Sequence, residues 1–230
     1  MRIRSKALLI FLAVAFTPMA LFGLLSYRYG ERSIKDRLGA AFSQSAFNTI
    51  DKVDRHLFSV EENLRNWTEL EFMQELITSD SDGKISSFLI RTGRKYDYFS
   101  TIHVLNRENE VVASSNPIWI GAKATPPEET AIRYSEQAKE WVLPFVVPIK
   151  PGFLEGESIG TLFAEWKMSE LPRIIHQDAA SASLASEKPL ILDRSGLLIG
   201  GPAGMKNDFF QRNLMEAGLA SAREAADGRR

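Results

Sequence analysis

The sequence predicts an α+β protein in which an apolar helix and a long amphipathic helix precede an antiparallel sheet. Three observations carry this: an uncharged run from Ala7 to Tyr27, a proline-free stretch from Glu31 to Thr78 with apolar residues recurring at threes and fours, and short β-branched segments separated by turn formers beyond residue 98. Composition narrows the function. The net charge of -1 offers no basic surface for a polyanion, so nucleic-acid binding is not expected. Cysteine is absent, which excludes disulfides, thiolate metal sites and a cysteine nucleophile. His56, His103 and His176 are too far apart for a local metal motif, and no GxSxG elbow, P-loop or kinase signature occurs. No enzyme, metal or cofactor is expected.

As a helix rising ~1.5 Å per residue, the Ala7–Tyr27 run matches the hydrocarbon thickness of a bilayer. Arg2, Arg4 and Lys6 precede it and hold the N-terminus in the cytoplasm, while Tyr27 and Tyr29 suit the far interface. Arg28, Arg32 and Lys35 follow it, so charge alone does not set the orientation. A cleaved signal peptide would have a shorter apolar region and small residues at its end, where this chain has Phe22 to Tyr29. Residues 1–30 are therefore expected to be a cytoplasmic tip and an uncleaved transmembrane signal anchor, Pro18 being tolerated within it. The chain would cross the cell inner membrane once, with its bulk in the periplasm.

Residues 31–80 are expected to form a stalk helix. Ile34, Leu38, Phe42, Ala46, Ile50, Val53, Leu57, Val60, Leu64 and Trp67 make one stripe, with a heptad rhythm from Ile50 to Trp67 that suits a homodimer, while Asp51, Lys52, Asp54, Arg55, Glu61, Glu62 and Arg65 make a solvated face. The same stripe would also serve to cover the protein's own sheet. Turn formers from Ser79 to Gly83 should end the helix.

Residues 81–178 read as a sheet module. Lys84 to Thr92 is a short helix ending before Gly93, Ser100–Asn106 and Val111–Ser115 form a hairpin around Arg107–Glu110, and Asn116–Glu129 is an irregular connector with three prolines. A short helical stretch is expected near Glu129 to Lys139. Strands Trp141–Ile149 and Ile159–Met168 then complete an antiparallel sheet of at least four strands, followed by a helix from Ser169 to Gln177. Residues 179–230 read as a linker and an incomplete second module. LILDRSGLLIG echoes the earlier IHVLNRENEVVAS as strand, turn, strand, and a helix is expected near Asn207 to Ala226, but no further strands follow.

This order resembles the double Cache family of extracytoplasmic sensor domains, above all in IHVLNRENEVVASSNPIWIG (102–121) and ESIGTLFAEWKMSEL (157–171). The resemblance implies a membrane-distal PAS-like module and the start of a membrane-proximal one. It implies an output domain such as a histidine kinase, diguanylate cyclase or chemotaxis signalling domain, so the chain is expected to be truncated. It also implies that the sheet and its connector hold a small molecule, an amine or a carboxylate. In the family's amino-acid-binding members a carboxylate meets the ligand's ammonium, and Glu165 stands at that place; the Arg-x-Trp-Tyr cluster of those members is present only as Arg133-Tyr134 and Trp141, in altered order and spacing.

The candidate ligand-binding residues are Tyr98, His103, Ser114, Tyr134, Trp141, Phe145 and Glu165. The aromatics would serve equally as core, and His103 as a satisfied strand histidine. Alternation along the strand sets Glu165 with Thr161 and Phe163, against Leu162, Ala164 and Trp166, so Glu165 must face solvent, a partner or a ligand. The alternative to a sensor is a membrane-anchored scaffold or binding protein that assembles through its long helix without sensing a ligand.

Overall fold

The computed structural model describes residues 3–128, 130–151, 157–176, 190–201, 205 and 208–218. The chain divides into two compact units, residues 1–50 and 51–230. Helix α1 (Ile3–Thr68) makes up the first unit and supplies its last turns to the second. In the first unit, Phe16, Phe22, Tyr27, Ile34, Leu38 and Phe42 are exposed. Among the described residues no helix is long and apolar enough to cross a membrane. The side chains of residues 3–10, 12, 13 and 15, much of the apolar run, lie outside those described.

From Val53 onward the α1 stripe is covered by its own domain. Val60 and Leu64 are fully buried, with Val53, Leu57 and Trp67 packed beside them. The helix stops at Thr68, earlier than the turn formers at 79–83 suggest, where the Thr68 hydroxyl donates to the Arg65 carbonyl (2.7 Å). The chain continues as a 3-10 helix, Glu71–Thr78, which turns Met73 and Leu76 into the core and ends at Ser79 in the left-handed region. Helix α2 (Lys84–Lys95) runs past Gly93 instead of ending there. A Cβ on Gly93 would lie 2.9 Å from the Ser115 Cβ, so this glycine admits the neighbouring strand and does not break the helix.

Strands β1 (Phe99–Leu105), β2 (Val111–Ser114), β3 (Arg133–Ser135), β4 (Glu140–Ile149) and β5 (Gly160–Lys167) form one antiparallel sheet in the order β2-β1-β5-β4-β3. The stretch expected to be helical between residues 129 and 139 holds β3 and a turn. Pairing of Arg133–Ser135 with Glu140–Val142 satisfies its backbone at the sheet edge, and the turn closes through Lys139 N–H to the Ser135 carbonyl (2.7 Å).

The central strand β5 is covered on both faces and has no exposed residue, whereas β4 and β3 expose Val146, Pro148 and Tyr134. On one face Ile102, Val104, Ala113, Phe145, Ile149, Leu162, Ala164 and Trp166 pack with Val60, Leu64, Ile85 and Leu89 from the helices. On the other, Leu105, Val111 and Phe163 meet Trp119 and Ala124 of the connector. A Cβ on Gly160 would collide with the Leu105 carbonyl oxygen and the Leu76 side chain, which marks where strand and 3-10 helix press closest.

Helix α3 (Leu171–His176) packs Leu171, Ile174 and Ile175 into the same core. Beyond it, β6 (Ile191–Leu192) and β7 (Leu198–Gly200) form a separate hairpin, with Leu198, Phe209 and Leu214 as a small cluster. The expected helix near Asn207 to Ala226 is not seen within residues 208–218, which are turns; residues 219–226, like the predicted linker at 178–186, lie outside the described residues. The backbone of this segment closes short turns, such as Arg212 N–H to the Asp208 carbonyl (3.1 Å), and bonds to the hairpin: Phe210 N–H donates to the Leu198 carbonyl (2.8 Å), Leu198 N–H to that of Arg212 (3.0 Å), and Leu214 N–H to that of Gly196 (2.9 Å).

Candidate functional site

The second sheet face carries the only buried carboxylate of β5, and strand register explains its surroundings. Glu165 is flanked by Thr101 of β1 on one side and Pro144 of β4 on the other. At 2% exposure it cannot be hydrated, so its charge must be met by protein. Its Oε2 accepts from Ser135 Oγ (2.9 Å) and Thr101 Oγ1 (3.2 Å), and its Oε1 from Arg133 Nη2 (3.0 Å). The Arg133 guanidinium also lies over the Phe163 ring, 5.5 Å from its centroid, where the ring's quadrupole favours a cation. Arg133 Nε is buried and has no partner.

Two residues along β1, His103 shares this face. Its ring stacks on Phe163 (6.1 Å between centroids), and Nδ1 lies 2.9 Å from the Ser114 hydroxyl across the β1–β2 register. Ser114 Oγ in turn accepts from the Asn116 N–H (3.0 Å), which leaves its own proton for Nδ1. Burial pushes the imidazole down to about 4, against the opposing pull of the Glu165 charge, so His103 is neutral at neutral pH. The face thus combines one internal ion pair with an uncharged imidazole.

The structure brings together three of the seven predicted residues: His103, Ser114 and Glu165. Phe145 lies on the opposite, helix-facing side as core. Tyr98 is on that side too, against His56 of α1 (5.8 Å), and burial raises its hydroxyl to about 12. Trp141 stacks on Phe210 (4.5 Å) and meets Tyr134 edge-on at the far edge of the sheet. There, with Met168, Pro172 and Phe209, they line a separate cleft of about 340 Å³. Sequence reading missed Thr101, Ser135 and the role of Arg133. Thr101 was recoverable from its two-residue offset from His103, whereas reading residues 129–139 as helix hid the other two.

One further cluster has the composition of a cation site, Glu75, Asp80 and Asp82. Its charges are already matched. Lys84 Nζ bonds Glu75 (2.7 Å) and Asp82, and hydrogen bonding with Glu75 and Lys84 holds Asp82 down at about 2. Asp80 accepts from Ile85 N–H, Ser86 N–H and Ser86 Oγ at 2.7 to 2.9 Å, capping the first turn of α2.

The last turns of a long helix laid against a five-stranded antiparallel sheet, with a second small hairpin following, make a fold shared with solved sensor and ligand-binding domains of histidine kinases and chemoreceptors. The chain is similar to the sensor domain of the Vibrio cholerae histidine kinase DctB, at 9% identity and a TM-score of 0.53 over 79% of this chain and 74% of that one. It is similar also to the ligand-binding domain of the Pseudomonas fluorescens chemoreceptor CtaA, solved with L-serine (12% identity, TM-score 0.53, 80% and 79% covered). A third is the sensory domain of the Campylobacter jejuni chemoreceptor Tlp3, solved with isoleucine (10% identity, TM-score 0.52, 76% and 75% covered). No family model and no curated protein sequence matches the chain. At these identities the likeness is one of fold.

Proposed function

We propose that this chain is the extracytoplasmic sensing region of a membrane receptor, in which a small molecule bound over the Thr101–His103–Glu165 face changes the packing of α1. The observation that carries the reading is that face itself: a buried carboxylate, guanidinium, imidazole and three hydroxyls beneath an irregular connector, in a sheet whose other side is apolar. A face of this kind fixes a ligand's orientation through a few placed polar groups. The fold shared with histidine-kinase and chemoreceptor sensor domains, two of them solved with amino acids bound, supports it.

In this reading Ala7–Tyr27 is the anchor in the cell inner membrane and the sheet domain is periplasmic. The exposed stripe of Ile34, Leu38, Phe42 and Ile50 pairs two copies of α1, and the output is a kinase, cyclase or chemotaxis signalling domain. Ligand binding acts by favouring one arrangement of the α1 turns from Val53 to Trp67 that rest on the sheet. A second reading, an anchored scaffold with no ligand, draws support from the internal satisfaction of Glu165. Thermal melts of the full chain against amino acids, carboxylates and amines separate the two, since a ligand that binds only the folded form raises Tm. Stabilisation by one class supports sensing; a flat response across all of them sinks it. A reporter fused after residue 218 that is active only in the cytoplasm sinks the periplasmic placement.

A further inference from the structure

We infer that His56 makes the seating of α1 on the sheet depend on protons, so that mild acid loosens the turns from Val53 to Trp67. The inference shares with the reading above the role of α1, but it concerns the helix-facing side of the sheet and needs no ligand at the Thr101–His103–Glu165 face. The His56 ring meets Tyr98 of β1 edge-on (5.8 Å) and Trp166 of β5 at a tilt (6.0 Å). Val53, Leu57 and Val60 of the same helical turns belong to the core beside Trp166. Within this contact two nitrogens, His56 Nε2 and Trp166 Nε1, are buried and have no hydrogen-bond partner.

An indole nitrogen only donates, while an imidazole nitrogen accepts when bare and donates when protonated. Neutral His56 can keep Nε2 bare, which leaves one donor and one acceptor in rings that touch. Protonated His56 cannot: Nε2 then carries an N–H, and the interface holds two buried donors, one of them on a cation, with no acceptor for either. The attraction of the two rings for a cation at about 6 Å, the outer edge of a cation–π contact, does not offset that loss. Nearby charges do not reverse the balance. Burial and then the Arg173 charge hold the imidazole below its ordinary value of 6.5, against the weaker pull of Glu170. Glu170 is itself paired with Arg173 (2.6 Å). Tyr98 is uncharged, its hydroxyl pushed up to about 12, with Asp97 preceding it, and Lys52 stands one turn back on α1. A lowered folded value means that His56 supports the seating fully above pH 6.5 and withdraws that support as pH falls below it.

The test is amide hydrogen exchange on the full chain at pH 7 and at pH 5.5, corrected for intrinsic exchange rates and read at Val53–Val60 and along β5. The α1 amides should exchange through an opening of their own, faster than β5 at both values. Because the opened helix carries an ordinary imidazole, that opening should become more populated at the lower pH, up to a limit of about eightfold. His56→Gln is uncharged at both values and should abolish the rise. The native chain gives a second reading that needs no variant to fold: the His56 imidazole resonance should titrate with a midpoint below 6.5, and the Trp166 indole N–H resonance should move with the same midpoint. A rise retained in His56→Gln, α1 and β5 opening together, or a His56 midpoint at or above 6.5 overturns the inference. A flat ligand screen beside a pH-dependent α1 removes ligand sensing alone, and a positive screen beside a pH-insensitive α1 removes proton sensing alone.

Discussion

Asn106 and Asp193 do the same work in two hairpins that are far apart in the chain. Asn106 Oδ1 accepts from the N–H groups of Glu108 and Glu110, and Asp193 Oδ1 from those of Ser195 and Leu197, so each bonds two and four residues ahead. The third residue on is left-handed in both, Asn109 at φ 58° and Gly196 at φ 84°. The sequence echo between LILDRSGLLIG and IHVLNRENEVVAS is therefore a repeated turn, set by a side-chain acceptor that pre-forms the loop. Asn106→Ala should lose about 1–2 kcal/mol in urea unfolding, and Asn106→Asp, which keeps the acceptor, should lose much less. Equal losses would show that the acceptor is not what shapes the turn.

The parts of the fold that were legible are those governed by local pattern. Threes and fours along α1, β-branched runs at Thr101–Leu105 and turn formers around Asn106 and Asp193 each depend on neighbours in sequence. Alternation also placed Glu165 on the correct face, opposite Ala164 and Trp166. What escaped is what depends on distant partners. Arg133–Ser135 is only three residues long, has no periodicity of its own, and is a strand because β4 lies alongside it. Missing that strand meant missing the guanidinium and hydroxyl that close around Glu165. Tyr98 and Phe145 were misplaced for a related reason. Central strands buried on both faces make an aromatic at either face look like a pocket residue.

His103 makes the domain sensitive to mild acid. Its folded-state value of about 4 lies below the unfolded value of 6.5, so between those limits the unfolded chain binds the extra proton more readily. Stability is then full above about pH 6.5 and falls as pH drops toward 4, by about 3 kcal/mol across the whole window. Urea midpoints at pH 7 and pH 5 should differ more for the native protein than for His103→Gln, by the equivalent of about 2 kcal/mol. Parallel pH profiles would mean that the imidazole already titrates freely in the fold.

Gly160 and Gly39 should respond to alanine in opposite directions. At Gly160 a methyl group meets the Leu105 backbone oxygen, which cannot move without disturbing β1, and Leu76 behind it. Gly160→Ala should destabilise by about 3 kcal/mol through forced separation of the strand from the 3-10 helix. Gly39 sits in α1 with nothing within 4 Å of the added carbon, so Gly39→Ala should raise helix content by the usual propensity difference of about 1 kcal/mol. Circular dichroism with urea titration reads both, and a tolerated alanine at position 160 would contradict the close approach.

Asp80 and Lys84 stand within one acidic cluster but differ in what they hold up. Asp80 is buried and its carboxylate takes three donors, two of them backbone N–H groups at the start of α2 that otherwise have no partner. Asp80→Ala strands those donors and should cost about 2 kcal/mol, with Asp80→Asn recovering part of it. Lys84 lies in solvent, where its bonds to Glu75 and Asp82 compete with water and are screened by salt. Lys84→Met should leave the urea midpoint unchanged within error in 0.15 M salt, which is the condition chosen because the Debye length is then about 8 Å. If Lys84→Met destabilised as much as Asp80→Ala, the three carboxylates would be acting as one repulsive cluster that the ammonium holds together. The N-terminal cap of α2 would then be secondary.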